Sequence, residues 1–420
     1  MTDRQVAVVV GAGFAGLNAA KRLANHETLR VILVDHRNHH LFQPLLYQVA
    51  TAGLNPADIA VPIRVQFRHA ENVEIHLGHV EGANLERQTV FGEGHEIPFN
   101  YLILACGARH SYFGHPEWEE FAPGLKTLEQ ATEMRRRMLI AFERAENELN
   151  RDAQQAYLTF VVVGGGPTGV ELAGAIADIS RTAMRGDFRR IDPARSRIVL
   201  VEAAPRVLTS FREEISDRAR RDLVELGVEV RTNAKVESID GEGVTIGSQR
   251  LYARTVFWAA GVQAERLQIV PTIETDRAGR IKVNNDCSVP GHPNVFVTGD
   301  MAAFETAPGT LLPGVAPAAI QTGKHAAEMI LRDLVGEPRL QFRYRDKGQL
   351  ATIGKSRAVA QIGRLTFTGR LAWFAWLLVH VFSLIGFRNR VAVLFGWAWA
   401  YMFSRREARL ITEKEWRLRN

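Results

Sequence analysis

Two glycine triplets with the spacing of phosphate cradles dominate the chemistry this chain could carry. The first is Gly11, Gly13 and Gly16, placed after the apolar run Val6-Ala7-Val8-Val9-Val10. The second is Gly164, Gly166 and Gly169, placed after Phe160-Val161-Val162-Val163. Each reads G-x-G-x-x-G between a strand-like run and a helix-like stretch. In that pattern the first glycine permits the tight turn, the second lets backbone approach a pyrophosphate, and the third lets the helix pack close to its strand. The anion then meets unpaired N–H groups at the positive end of the helix. An acid follows each turn at the end of the next apolar run: Asp35, at close to the spacing of a ribose-hydroxyl ligand, and Glu202, set later by an Arg- and Asp-rich insertion over 182–196. Two such units imply two dinucleotides, and two redox dinucleotides imply electron transfer between them. A carboxylate at Glu202 accepts from an unphosphorylated ribose and repels a 2′-phosphate, which favours NADH over NADPH. Glu171 falls in the first turn of the second helix, where the helix dipole alone favours an acid.

The elements that would position these groups alternate between strand and helix. Residues 72–77, 89–91 and the run Tyr101-Leu102-Ile103-Leu104-Ala105-Cys106-Gly107 read as strands. A charged helix is predicted over 127–155 from the apolar spacing of Met134, Met138 and Phe142. Beyond the second turn come a strand over 228–232 and the run Thr255-Val256-Phe257-Trp258-Ala259-Ala260-Gly261. Its ending in small residues and glycine echoes 102–107, an internal repeat of the whole nucleotide-binding plan. Asn294-Val295-Phe296-Val297-Thr298-Gly299-Asp300 is a further strand ending in an acid, and a helix is predicted from about Pro317 to Leu334.

Composition narrows the class. A length of 420 residues suggests two or three domains. Cys106 and Cys287 form no disulfide framework, metal site or redox dithiol, and the thirteen histidines show no ligand pattern, His36 and His40 lying in a loop. No metal is expected. A first strand beginning at residue 6 leaves no room for a signal peptide, so the chain is expected to stay where it is made. Nearly all of the net charge of +6 lies in 371–420, beside an apolar stretch rather than on a basic folded body, which argues against nucleic acid and for an anionic lipid surface. Across 371–403 the only charges are Arg388 and Arg390, which divide two apolar runs carrying Trp373, Trp376, Trp397 and Trp399. The first run is borderline for a membrane span and the second is too short. The expectation is a helical hairpin at about 370–405 lying in one leaflet, with Arg370, Arg388, Arg390, Arg405 and Arg406 on lipid phosphates. A buried core or dimer helix pair and a true transmembrane span are the competing readings.

The paired fingerprints resemble those of two-dinucleotide-binding-domain flavoproteins. Disulfide reductases of that group carry a cysteine pair soon after the first ribose acid. Here the segment reads Asp35-His36-Arg37-Asn38-His39-His40-Leu41-Phe42-Gln43-Pro44-Leu45-Leu46-Tyr47-Gln48-Val49-Ala50, without cysteine. It is similar to that of type II NADH dehydrogenases, the single-subunit NADH:quinone oxidoreductases, as are 164–174, 258–262 and Thr298-Gly299-Asp300. The resemblance implies an α/β fold with two Rossmann-like dinucleotide-binding domains and a C-terminal helical membrane-anchoring region. Its expected boundaries are 1–115 and 266–335 for an FAD-binding domain, 116–265 for an NADH-binding domain and 336–420 for the C-terminal domain. It implies FAD at Gly11, Gly13, Phe14, Gly16 and Asp35, with Ala105 and Gly107 near it and Asp300 on its ribityl or phosphate portion. NADH falls to Gly166, Thr168, Gly169 and Glu202, and Glu171 becomes the acid beside the nicotinamide. Gln43, Gly261 and Ala316 join the cofactor-binding set. The family's quinone motif AQ-x-A-x-Q reads Ala316-Pro317-Ala318-Ala319-Ile320-Gln321, so Pro317 stands for a glutamine and Gln321 remains to meet the quinone, with Gln43 and Tyr47 nearby. The implied protein is a homodimeric, non-proton-pumping respiratory enzyme, peripheral on the cytoplasmic face of the cell membrane, with a membrane quinone as partner. A soluble flavin NADH oxidase or reductase, and an NADH-sensing interaction flavoprotein, stay open as alternatives.

Overall fold

The computed structural model describes residues 4–403 and 408–412. They fall into two units. One comprises Met1–Leu41, Ala60–Arg109 and Val262–Lys347; the other comprises Phe42–Ile59, His110–Gly261 and Gly348–Asn420. Both are α/β and both are built on a parallel sheet.

The first unit has a six-stranded sheet in the order Ser288–Val289, His292–Val297, Tyr101–Leu104, Gln5–Val10, Leu29–Asp35, Val73–Leu77. Neighbours are parallel except at the Ser288–Val289 edge. Parallel strands are covered on both faces, which is why these segments read as unbroken Val, Ile and Leu. Gln5–Val10 is flanked by Leu29–Asp35 on one side and Tyr101–Leu104 on the other, with Ala7 opposite both Val31 and Tyr101. Strand order reverses at that point, so a crevice opens at the carboxyl end of Gln5–Val10. The helix Phe14–Leu23 leaves from there, and the helix Ala316–Leu334 packs on it so closely that a Cβ on Gly323 would lie 2.2 Å from the Ala15 carbonyl oxygen. Pro317 occupies the first turn of Ala316–Leu334, where no intrahelical N–H is required.

The second unit repeats the plan with four parallel strands in the order Val228–Arg231, Arg197–Val201, Thr159–Val163, Thr255–Trp258. The helix Pro167–Asp178 leaves the central strand. The single helix predicted over 127–155 is two, Leu128–Asn147 and Arg151–Tyr157. Asn150 divides them, its side chain accepting the N–H groups of Asp152 at 2.9 Å and Ala153 at 3.0 Å, a cap that starts a new helix.

An antiparallel sheet of Gln349–Thr352, Ala358–Ile362 and Leu365–Thr368 leads into the helices Gly369–Ser383 and Phe387–Phe403. The break between them falls at 384–386, where Gly386 takes φ +88°, and not at the charges. Arg388 and Arg390 lie inside the second helix, and Arg390 Nε donates to the Leu384 carbonyl at 2.8 Å. Left-handed backbone at a glycine ends a helix more decisively than a charge does. Ala372, Trp376 and Val381 turn inward, while Leu371 (74% exposed), Phe374, Leu378 and Phe382 (70%) form an uncovered apolar stripe. Among the described residues no helix is long and apolar enough to cross a membrane. Arg405 and Arg406 lie outside the described residues.

Both cysteines are free thiols. Burial pushes Cys106 up to about 12 and raises Cys287 as well.

Candidate active site

The two glycine turns are built from the same contacts. Gly11 (φ +97°) and Gly164 (φ +110°) adopt backbone that only glycine takes without strain. Each donates its N–H to the end of the adjacent strand, Gly11 to Val34 and Gly164 to Val201, both at 2.8 Å. The acids then tie the turns down. Asp35 accepts from the Ala12 N–H at 2.6 Å and the Arg37 N–H at 2.7 Å. Glu202 accepts from the Gly165 N–H at 2.5 Å and the Ala204 N–H at 2.7 Å. A Cβ on Gly16 would stand 1.8 Å from the Gly11 carbonyl oxygen, and one on Gly169 would stand 1.8 Å from that of Gly164. By contrast, a Cβ on Gly13 or Gly166 would meet nothing within 4 Å. The first and third glycines are demanded by the protein; the middle one borders open space at the head of a helix with no side-chain cap. That is the shape and charge a pyrophosphate needs.

In the first unit the surroundings fit a flavin dinucleotide. Phe14 meets His40 edge-on at 5.1 Å between centroids. His40 is 2% exposed, and burial lowers its pKa, so the ring is neutral. Its Nδ1–H donates to the Ala12 carbonyl at 2.8 Å, and its buried Nε2 has no partner among the described residues. Nε2 is therefore an acceptor beside the turn, suited to a hydroxyl of the dinucleotide. Ala105 and Gly107 follow Tyr101–Leu104, with the Ala105 carbonyl closely approached by Gly11. Asp300 lies in the turn after His292–Val297, next to Gly299, whose N–H donates to Thr322 at 3.1 Å. Ala316 begins the helix that carries Thr322. These residues all sit at the carboxyl edge of one sheet. In the second unit Thr168 lies in the first turn of Pro167–Asp178, and Gly261 ends the turn after Thr255–Trp258, the counterpart of Gly107.

Gln321 is already engaged. Its Nε2 donates to the Arg345 carbonyl and its Oε1 accepts the Arg345 N–H, both at 3.0 Å. Gln43 donates to the Lys126 carbonyl at 3.2 Å. Gln43 and Tyr47 belong to the second unit and Gln321 to the first.

The second unit also holds a cavity of about 120 Å³. One wall is a single helical face, Glu171, Ala175, Asp178 and Thr182, spaced four, three and four residues apart. Tyr47 and Gln48 line another side, Thr352 and Lys355 a third, and the indoles of Trp373, Trp376 and Trp397 complete it. Burial pushes Glu171 up to about 8, only partly offset by the Thr352 N–H at 3.3 Å. Trp376 is 2% exposed, and its buried Nε1–H has no acceptor among the described residues. His380 stacks on Trp376 at 4.3 Å and is held neutral, burial taking it down to about 4. An apolar chamber with an uncharged acid and an unused indole N–H fits a largely apolar ligand bearing acceptor oxygens. Glu171, Tyr47 and the three tryptophans are legible in the sequence, but the tryptophans are expected there in a hairpin lying in one leaflet, whereas Trp376 is buried on this wall. For the rest of it, two acids seven residues apart on the otherwise apolar segment Pro167–Asp178 were the available signal.

The fold and the paired turns define a flavoprotein oxidoreductase that uses a pyridine nucleotide. Residues 5–323 match the pyridine nucleotide-disulphide oxidoreductase family, and 347–406 match the NDH2 C-terminal domain. The type II NADH:quinone oxidoreductase Ndh of Mycobacterium tuberculosis is 42% identical over 98% of this chain and 91% of its own length. NdhA of the same organism is also 42% identical, over 98% and 90%. Among solved structures, NDH2 from Plasmodium falciparum in complex with NADH superposes with a TM-score of 0.87 at 19% identity, over 98% of this chain and 100% of that one, which speaks to the fold. The chain belongs to the type II NADH:quinone oxidoreductases, FAD-dependent enzymes that do not pump protons.

Proposed function

We propose that the chain oxidises NADH at the second glycine turn and reduces a membrane quinone in the indole-walled cavity, with Glu171 as the proton donor. FAD, held at the first turn, supplies the redox chemistry when bound, taking hydride from NADH and giving two electrons to the quinone. Gly11, Gly13, Phe14, Gly16 and Asp35 hold its diphosphate and ribose, and Ala105, Gly107, Asp300 and Ala316 border the rest. Gly166, Thr168, Gly169 and Gly261 hold NADH. Glu202 already takes two backbone N–H groups, and its remaining lone pairs suit a ribose diol while its charge opposes a 2′-phosphate. Reducing a quinone to a quinol with NADH consumes one proton from solution. Glu171 is protonated below about 8, so it carries that proton at neutral pH where an ordinary carboxylate would not.

The observation that carries this reading is the pairing of a buried, protonated acid with an indole-lined wall. Anaerobic half-reactions test it. NADH should bleach the flavin, and a quinone should restore the colour; Glu171→Gln should leave bleaching intact and slow recolouring about a hundredfold. Equal recolouring rates in variant and native protein would remove the quinone from this cavity.

The exposed stripe of Leu371, Phe374, Leu378 and Phe382, with Arg370 and Arg388 exposed at its ends, suits a hairpin seated in one leaflet of an anionic membrane on the cytoplasmic face. Reversing both arginines to glutamate should weaken binding to anionic vesicles by at least about thirtyfold, at about 1 kcal/mol per basic group lost. The resemblance also implies a homodimer, which mass measurement in detergent tests directly.

A further inference from the structure

We propose that the indole of Trp397, on the second hairpin helix, fixes the direction of a hydrogen-bond chain that ends on the Thr352 hydroxyl and makes that hydroxyl a donor to a quinone carbonyl. The inference rests on the quinone reading of the cavity and adds to it a donor and three positioning residues.

The chain runs through four side chains from three segments of the second unit, Tyr47 and Gln48 being neighbours on the helix Leu46–Ala50. Trp397 Nε1 donates to Gln48 Oε1 at 2.7 Å. An indole N–H is a donor only, so it settles which end of the Gln48 amide faces it. Gln48 Nε2 is then committed as a donor to the Tyr47 hydroxyl, at 3.1 Å. A phenol oxygen shares one lone pair with its ring and accepts one good hydrogen bond. Either oxygen could supply the hydrogen of the 2.9 Å contact between the Tyr47 hydroxyl and Thr352 Oγ1; with the tyrosine's acceptor position taken by Gln48, the tyrosine supplies it in the proposed chain. Thr352 Oγ1 therefore accepts, and its own hydrogen is the group the chain delivers.

Thr352 is placed to use it. The residue is 3% exposed and lines the cavity, and among the described residues Tyr47 is the one partner of its hydroxyl. Its backbone N–H donates to Glu171 Oε1 at 3.3 Å, so one residue presents a hydroxyl and also holds the acid. A quinone carbonyl offers only lone pairs. It is welcomed by an O–H and repelled by a hydroxyl whose hydrogen points the other way. Without the indole N–H the Gln48 amide is free to turn over, Tyr47 can accept from Thr352, and the wall presents lone pairs to a ligand that has nothing but lone pairs. The anchor hairpin thereby sets the polarity of the site, and Gln48 and Tyr47 transmit it.

The test uses full-length, flavin-loaded protein, NADH and a short-tailed quinone, with each half-reaction followed anaerobically. Thr352→Val keeps the shape and removes the hydroxyl. It should raise the quinone KM about tenfold while the rate of bleaching by NADH is unchanged. Thr352→Ser should recover most of that affinity. Trp397→Phe keeps a ring and removes the N–H, and should raise the quinone KM about threefold to fivefold. In the double variant Trp397→Phe should add little to Thr352→Val, because both cut one chain. An unchanged KM in Thr352→Val, or a full additional effect of Trp397→Phe in the valine background, overturns the proposal. Native protein that is bleached by NADH but never recoloured by quinone overturns the quinone reading itself, a different result from either.

Discussion

The first and second glycine turns agree in their closing hydrogen bonds, in their left-handed glycines and in the carbonyl that faces the third glycine, and then part company two residues further on. There the first helix has Asn18 and the second has Glu171. Asn18 donates to the Phe14 carbonyl at 2.8 Å, consuming its polarity on its own helix. Glu171 has a single backbone N–H and is buried into protonation. What covers each helix differs too. Phe14–Leu23 is clasped backbone to backbone by Ala316–Leu334, whereas Pro167–Asp178 turns a polar stripe to a cavity. The turn is the same in both copies; the copies differ in one side chain and in the space beside it.

Breaking the shared hardware should have the largest effects and separate the two copies. Gly16→Ala and Gly169→Ala each force a Cβ onto a carbonyl oxygen, a local cost of about 4 kcal/mol or more. The first should yield colourless protein on purification. The second should retain flavin absorbance and lose NADH-driven bleaching about a thousandfold. Next comes the position where the copies diverge. Quinone reduction should be fast below about 8 and fall as pH rises through it, since Glu171 is then ionised, and Glu171→Gln should flatten that limb. The same shift bears on stability. A carboxyl raised from 4.5 to about 8 favours the folded state at low pH, and that contribution is lost as pH rises through about 8. The native protein should therefore melt progressively lower across this window relative to Glu171→Gln. Asn18→Ala should change neither profile. A smaller effect tests the acids: Glu202→Gln should narrow the preference for NADH over NADPH about tenfold, read as a ratio of kcat/KM, while leaving flavin retention alone. The smallest belongs to Gln321→Ala. With both amide atoms spent on Arg345, the change should cost about 1–2 kcal/mol of local stability and move the quinone KM less than Thr352→Val does.

The turns and their acids were legible in the sequence because strand, turn, helix and acid are contiguous and each glycine has a local reason. The helix break at Asn150 was hidden inside a charged stretch whose periodicity ran on either side of it. The hairpin was visible, but its turn was read from Arg388 and Arg390 when Gly386 makes it. Residues 42–59, read as part of a first domain ending at 115, lie in the second unit. The cavity was the least legible part. Tyr47, Glu171, Thr352 and Trp376 come from four segments that no sequence period relates, so nothing in their spacing brings them together.

The two thiols have a consequence of their own. A reduced flavin that meets dioxygen sheds peroxide, and peroxide attacks thiolates rather than thiols. Cys106 donates its S–H to the Val10 carbonyl at 3.7 Å, and burial keeps both sulfurs protonated at neutral pH. Neither sulfur offers such an oxidant a thiolate, so turnover in air should leave no sulfenate behind and alkylating reagents should not slow it.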